Sequence, residues 1–261
     1  MRWHKRQYRC REAACPRKAF TESVPEIPPR ARLTGRLCRL DAHGPGWTDQ
    51  VQFVAIDPCA VYRSAVQQAL PDAVIVVDHF HLVRLANQAV TKVCQRVTRQ
   101  VLGRRGTTRD PARANRRRLL RARERLTREQ FHRMGEEILT QEATGELLAT
   151  WIAKEKLRYL LSLARTRPPQ SEISNRLSAF YHWCARADVP EVTTLAKTIE
   201  AWRPQILAFI DTGITNARTE STNRMVNDAA RIAFGFRNLE NQRRTVRLHC
   251  KRTIISQPLR G

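Results

Sequence analysis

Two short apolar runs, Val51-Gln-Phe-Val-Ala-Ile-Asp57 and Ala73-Val-Ile-Val-Val-Asp78, each end on an aspartate and lie a single helix apart. Their β-branched and aromatic content predicts strands, while Pro58 stops the first and starts a helical stretch through Leu70. Strand, helix, strand in so short an interval is a βαβ unit with a parallel pair. Continuous apolar strands of this kind belong to a sheet covered on both faces. Asp57 and Asp78 then stand at the carboxyl ends of neighbouring strands, where open α/β sheets build their sites.

From His81 to about Phe209 the period becomes helical. Leu82, Leu85, Ala89, Val93, Val97 and Val101 mark one face of a long helix. Leu147, Leu148, Trp151 and Ile152 repeat the period, as do Leu195, Ile199, Trp202 and Ile206. Trp151, Trp183 and Trp202 lie in apolar helical settings and read as core. Between these helices, Arg113 to Arg125 is dense in arginine and reads equally as a solvated face or as a track for a nucleic-acid backbone. A last unit opens at Ile214-Thr-Asn-Ala-Arg-Thr-Glu220, with Thr215 or Asn216 as the helix cap. Glu220, Asn223, Asn227 and Arg231 fall on one face of that helix. The fold class is α/β: a small parallel sheet followed by a large helical body.

Charge narrows the partner. Lys and Arg total 47 against 24 Asp and Glu, a formal net charge of +23, and such a chain attracts polyanions, nucleic acid foremost. No stretch approaches the roughly 20 apolar residues of a spanning helix. Met1 to Pro16 is basic and polar without the apolar centre of a secretory signal, so the expected compartment is the cytoplasm. Seven scattered cysteines do not form a disulfide framework. Cys59 has no His–acid pattern to make it a nucleophile. The absence of a Gly-rich phosphate loop argues against an ATP-dependent enzyme.

The chemistry rests on Asp57, Asp78 and Glu220. Two strand-end aspartates and a glutamate on a later helix can converge on hard divalent cations, which prefer oxygen ligands, and so support phosphodiester displacement. Strand-end aspartates equally often cap the following helix, and spacing alone does not separate the two roles.

Four segments resemble the ISL3 family of bacterial insertion-sequence transposases, in the family's order: Phe53-Val-Ala-Ile-Asp-Pro-Cys-Ala-Val-Tyr-Arg63, Ile75-Val-Val-Asp-His-Phe-His-Leu-Val83, Gly213-Ile-Thr-Asn-Ala-Arg-Thr-Glu220 and Phe234-Gly-Phe-Arg-Asn238. The similarity runs from about Trp47 to Arg252. It implies a ribonuclease H-like domain with a helical insertion at about 84–210, and a DDE triad that uses Mg²⁺ to cut and join double-stranded DNA at the element ends. On that pattern Asp57 resembles the second acid and Glu220 the third, both as Mg²⁺ ligands. Asp78 and His81 match an Asp-x-x-His motif that supports the site. Arg218, Arg224, Arg231 and Arg237 are the DNA contacts implied, and assembly into homo-oligomers is left open.

The organisation expected is a partial zinc-ribbon remnant at 1–38, a linker or deletion junction at 39–50, and at 51–252 a DDE domain lacking its first strands. Cys10 and Cys15, with Arg6-Gln-Tyr-Arg-Cys10 and Cys15-Pro-Arg-Lys-Ala-Phe20 around them, resemble the second half of the ribbon. They are half of the four-ligand set that structural Zn²⁺ takes, with Cys38 or His4 as candidate substitutes for a missing ligand. The family pattern places a helix-turn-helix and three strands, the first bearing the first catalytic Asp, where this chain has only Arg36 to Trp47. That is too little for even one crossover of about a dozen residues. Asp41 and Asp49 follow no apolar strand and read as loop residues. Two functions follow: a transposase-derived protein impaired in cleavage for want of that acid, or a non-catalytic DNA-binding or interaction protein that interferes with a full-length transposase.

Overall fold

The computed structural model describes residues 7–9, 19–21, 46, 48–142, 144–233 and 238–255. Near the start, β1 (Gln7–Arg9) and β2 (Ala19–Thr21) pair antiparallel, with Tyr8 opposite Phe20. Cys10, Cys15, Asp41 and Arg237 lie outside the described residues.

The two apolar runs form β3 (Phe53–Ile56) and β4 (Val74–Val77), joined by α1 (Ala60–Ala69). They pair in parallel, in register from Phe53↔Val74 to Ile56↔Val77. The ladder continues one step further, since the Asp78 amide donates to the Ile56 carbonyl at 2.9 Å. The expectation of a sheet covered on both faces holds for β4, where Ile75, Val76 and Val77 are buried, but not for β3. Phe53 is 40% exposed and Val54 and Ala55 are only half-buried. Among the described residues no third strand pairs with β3.

The helical body starts at once. α2 (His79–Leu102) is about 36 Å long at 1.5 Å per residue and forms its central column. Leu82, Ala86, Ala89, Val90, Val93, Cys94 and Val97 make its buried stripe, whereas Val101 is exposed because the helix has by then run past its partners. The arginine-rich stretch folds into two single-turn helices, α3 (Pro111–Ala114) and α4 (Arg116–Leu119), and a 3-10 turn at Arg123–Arg125. Leu119 and Leu126 anchor this segment in the core, while Arg113, Arg116, Arg117, Arg121 and Arg125 stay exposed. There follow α5 (Arg128–Gln141), α6 (Glu146–Leu161), α7 (Gln170–Ala187), α8 (Pro190–Ala201) and α9 (Arg203–Thr212). α6 and α8 pack on α2, α7 packs on α6 and α8, and α9 lies along β4. One apolar core therefore runs from Ile56 in the sheet through Trp151 and Phe180 to Ile210. Trp151 and Trp202 are buried in it, and Trp183 packs against it while donating to the Ala149 carbonyl at 2.9 Å.

A charged residue sits inside this apolar body. Lys154 is fully buried on α6, and its ammonium donates to the carbonyls of Leu119 (2.6 Å) and Arg121 (2.7 Å) and meets Glu155 at 2.8 Å. It ties the arginine-rich segment to α6. Burial pushes its pKa down, and the hydrogen bond that it donates to Glu155 opposes that push. After α9 come α10 (Ala217–Ile232) and α11 (Leu239–Ile255), which pack on each other. No helix among the described residues is long and apolar enough to cross a membrane.

Candidate metal centre

Parallel pairing in register leaves Asp57 and Asp78 side by side, each one residue beyond the end of its strand. Asp78 is also the N-cap of α2, accepting the Phe80 amide at 3.3 Å. The capping role and the site role, alternatives in the sequence, coincide in this residue. His81 lies three positions on and so returns to the same face of the first turn.

Glu220 comes from far along the chain. α9 ends at Gly213, whose φ of +64° turns the backbone through the left-handed region. A side chain there would collide with Arg165, which folds over the turn and donates to the Gly213 carbonyl from Nε (3.3 Å) and Nη2 (3.0 Å). The turn hands the chain to α10, with Glu220 in its first turn. His81 Nε2 lies 3.2 Å from Glu220 Oε1 and 3.4 Å from Asp57 Oδ1. One ligand atom from each of Asp57, Asp78, His81 and Glu220 falls within 4.8 Å of every other.

Asn216 is the N-cap residue of α10, as the sequence allows, but its side chain makes no cap hydrogen bond. It donates instead to Asp57 Oδ1 at 3.1 Å, and so fixes that carboxylate from the opposite end of the chain. This role escapes a sequence reading because an Asn before a helix already has a local explanation. The His79 ring stacks on Phe209 at 4.8 Å, with Nδ1 3.5 Å from Asp78 Oδ1.

The site is an open bowl. The Asp78 side chain, 3% exposed, forms its floor, while His81 is 15%, Glu220 37% and Asp57 43% exposed. Burial pushes the Asp78 carboxyl up, yet hydrogen bonds from His79 and the Phe80 amide and the charges of His79 and His81 hold it below its ordinary value. Three carboxylates thus converge, with His79 beside Asp78 and His81 between Asp57 and Glu220. Carboxylates this close repel by roughly 1 kcal/mol per pair in water and about 4 kcal/mol at a protein-surface dielectric. His81 Nε2 lies between the Asp57 and Glu220 carboxylates, and as an N–H donor it can bond to either. A hard divalent cation would neutralise the clustered carboxylates and take their oxygens as ligands. The buried Asn216 Oδ1, without a hydrogen-bond partner, is a further oxygen beside the bowl.

Arg224 and Arg231 are exposed on α10, and Arg231 pairs with Asp228 at 2.7 Å, which offsets part of its charge. Arg218 belongs to the first turn of the same helix. Cys59 stands at the N-cap of α1, half-buried as a free thiol.

Residues 30–246 match the model of the ISL3-type DDE family, described as Transposase. The transposase for insertion sequence element IS1557 of Mycobacterium tuberculosis, in strains H37Rv and CDC 1551 / Oshkosh, is 29% identical over 223 residues, covering 76% of this chain and 47% of that protein. The transposase for insertion sequence element IS1001 of Bordetella parapertussis is 26% identical over 217 residues, covering 82% of this chain and 50% of its own length. The chain therefore spans about half the length of the curated relatives it matches. No solved structure matches it.

Proposed function

The chain belongs to the ISL3 family of DDE transposases, and from that premise we propose that its carboxylate cluster is a site for metal-dependent cleavage and joining of DNA strands in transposition. The observation that carries the reading is the meeting of Asp57, Asp78, His81 and Glu220 within 4.8 Å, although they come from β3, β4, α2 and α10. Asp57 and Glu220 hold Mg²⁺, Asp78 and His81 support them, and Asn216 orients Asp57. When bound, such ions activate the attacking hydroxyl and stabilise the leaving oxygen. The chain's own part is to fix the carboxylates and to bring DNA over the bowl. For the latter the basic residues of the last unit serve, Arg218, Arg224, Arg231 and Arg237, whose guanidiniums suit phosphate.

The same premise sets the domain reading. β3, α1 and β4 are the retained part of a ribonuclease H-like sheet, and α2 to α9 contain the helical insertion at about 84–210. Residues 1–38 are a zinc-ribbon remnant: Cys10 and Cys15 lie in sequence between β1 and β2, where a ribbon carries one of its ligand pairs, but two further Zn²⁺ ligands are unassigned. The first catalytic Asp of the family pattern has no counterpart between Arg36 and Trp47, so this chain alone cuts DNA weakly or not at all. Asp49, in the 3-10 turn before β3, does not join the cluster.

The outer edge of β3, which pairs with no third strand among the described residues, favours a second reading, a non-catalytic protein that binds DNA and enters assemblies of a full-length transposase. Incubation of the purified chain with supercoiled DNA and Mg²⁺ or Mn²⁺, beside Glu220→Gln, tests both. The expected result is salt-dependent binding without nicking. Nicking that disappears in Glu220→Gln would overturn the impairment and establish a complete site. Loss of all DNA binding at low salt would overturn both readings.

A further inference from the structure

A cleft of about 760 Å³ opens beside the bowl, walled by the first turn of α2, the end of α6, the segment around 120–125 and the turn after α9. It shares an element with the cluster, because His79 and Phe80 line it while Asp78 and His81 on either side of them face the carboxylate site. Its volume lies within the range of pockets that take small organic ligands.

Three features of the cleft point the same way. Phe80 is 60% exposed, with the His81 ring set at an angle beside it at 6.2 Å, so much of its aromatic surface is open to whatever enters. Four arginines line the cleft and no Asp or Glu does, among the described residues. Two of the four are committed: Arg158 to Glu124 and Glu155, and Arg165 to the Gly213 carbonyl. Arg121 and Arg125 have no acidic partner within ion-pair distance among the described residues, and both are exposed. Lys154 nevertheless holds the Arg121 carbonyl, so this cationic wall stands on a fixed backbone.

A flat apolar face and two uncommitted guanidiniums in one cleft are complementary to a nucleotide, which pairs a π-face with an anion. We propose that the cleft receives one unpaired nucleotide of a DNA strand, its base against Phe80 and its phosphate on Arg121 and Arg125. The proposal rests on DNA being this chain's substrate class but needs no metal in the bowl. A base inside a duplex has both faces covered by its neighbours, so the cleft discriminates an unpaired or extruded nucleotide from a paired one. It places the strand to be cut next to the carboxylates and gives the arginine-rich segment one end of its path.

The test is equilibrium binding of a single-stranded oligonucleotide carrying one 2-aminopurine, and of the blunt duplex of the same sequence, in EDTA. Phe80→Ala, Phe80→Trp, the pair Arg121→Ala with Arg125→Ala, and Arg186→Ala as a control on α7 are compared with the parent chain. Phe80 is exposed and uses only its backbone in the cap, so these variants keep the fold. Expected are quenching of the probe by the parent chain, roughly tenfold weaker binding with loss of quenching in Phe80→Ala, and recovery in Phe80→Trp. Because both arginines meet one phosphate, their joint removal lowers the slope of log affinity against log salt by about 0.7 for the single strand. Unchanged affinity and quenching in Phe80→Ala would overturn the proposal, and so would an equal dependence on Phe80 for the blunt duplex. Because EDTA is present, failure of the metal reading leaves these outcomes untouched.

Discussion

Gly213→Ala separates a structural turn from a positioning one. The residue has φ +64°, where an L side chain costs roughly 1–2 kcal/mol. An added Cβ would also overlap Arg165 Cγ and lie 2.8 Å from its Nε and 3.0 Å from its Cδ. These are the inner atoms of the arginine, so the side chain must leave, and its two hydrogen bonds to the Gly213 carbonyl go with it. A charged donor on a partly exposed carbonyl contributes about 1–1.5 kcal/mol, which brings the total to roughly 2–4 kcal/mol. For a chain of this size that lowers Tm by about 4–16 °C. Because the turn delivers Asn216 and Glu220, affinity for Mn²⁺ should fall as well. Thermal melting and Mn²⁺ titration of Gly213→Ala, Arg165→Ala and the double variant read both effects. The double variant should cost clearly less than the sum of the singles, since removing Arg165 relieves the overlap and leaves only the backbone term. Stability within about 0.5 kcal/mol of the parent with unaltered Mn²⁺ affinity would refute the reasoning.

Three further outcomes are expected. Asn216→Ala should weaken Mn²⁺ binding by about tenfold or more with little change in Tm, because it removes the donor that orients Asp57 and little apolar burial; unchanged affinity counts against that role. Lys154→Met should destabilise by roughly 2–4 kcal/mol in urea unfolding, since it strands the carbonyls of Leu119 and Arg121 and the Glu155 carboxylate; a neutral effect would show that apolar packing compensates. Arg96 joins α2 to α6 and α8 through Glu146 (2.5 Å) and Glu191 (2.8 Å), and its hydrogen bonds hold the Glu191 carboxyl below the ordinary glutamate value. The folded pKa is thus the lower one, so this contribution is complete above about pH 4.5 and is lost as pH falls through the folded value. Glu191→Gln should flatten the acid limb of stability against pH, and an identical limb would contradict the linkage.

The parallel pair was legible because its signal is local: two β-branched runs, a proline and a helix-length interval specify β3, α1 and β4. The stripe on α2 was legible for the same reason, up to Val101, where exposure depends on how far the neighbouring helices reach. Glu220 is different. No spacing rule carries a residue on α10 to the end of β3, and its place beside Asp57 came from resemblance to a family. Asn216 and Lys154 were hidden by sound local readings, an Asn before a helix being a cap and a lysine being surface. Their roles exist only once distant backbone is brought to them. The exposure of β3 likewise depends on which strands surround it rather than on its own residues.

Divalent-cation binding bears most directly on the central claim. Mn²⁺ bound by the purified chain, counted by electron paramagnetic resonance, should fall sharply in Asp57→Asn and in Glu220→Gln, while Asp49→Asn binds as the parent does. Equal Mn²⁺ binding by all four proteins would mean that the meeting of Asp57, Asp78, His81 and Glu220 is a hydrogen-bonded junction and not a metal centre.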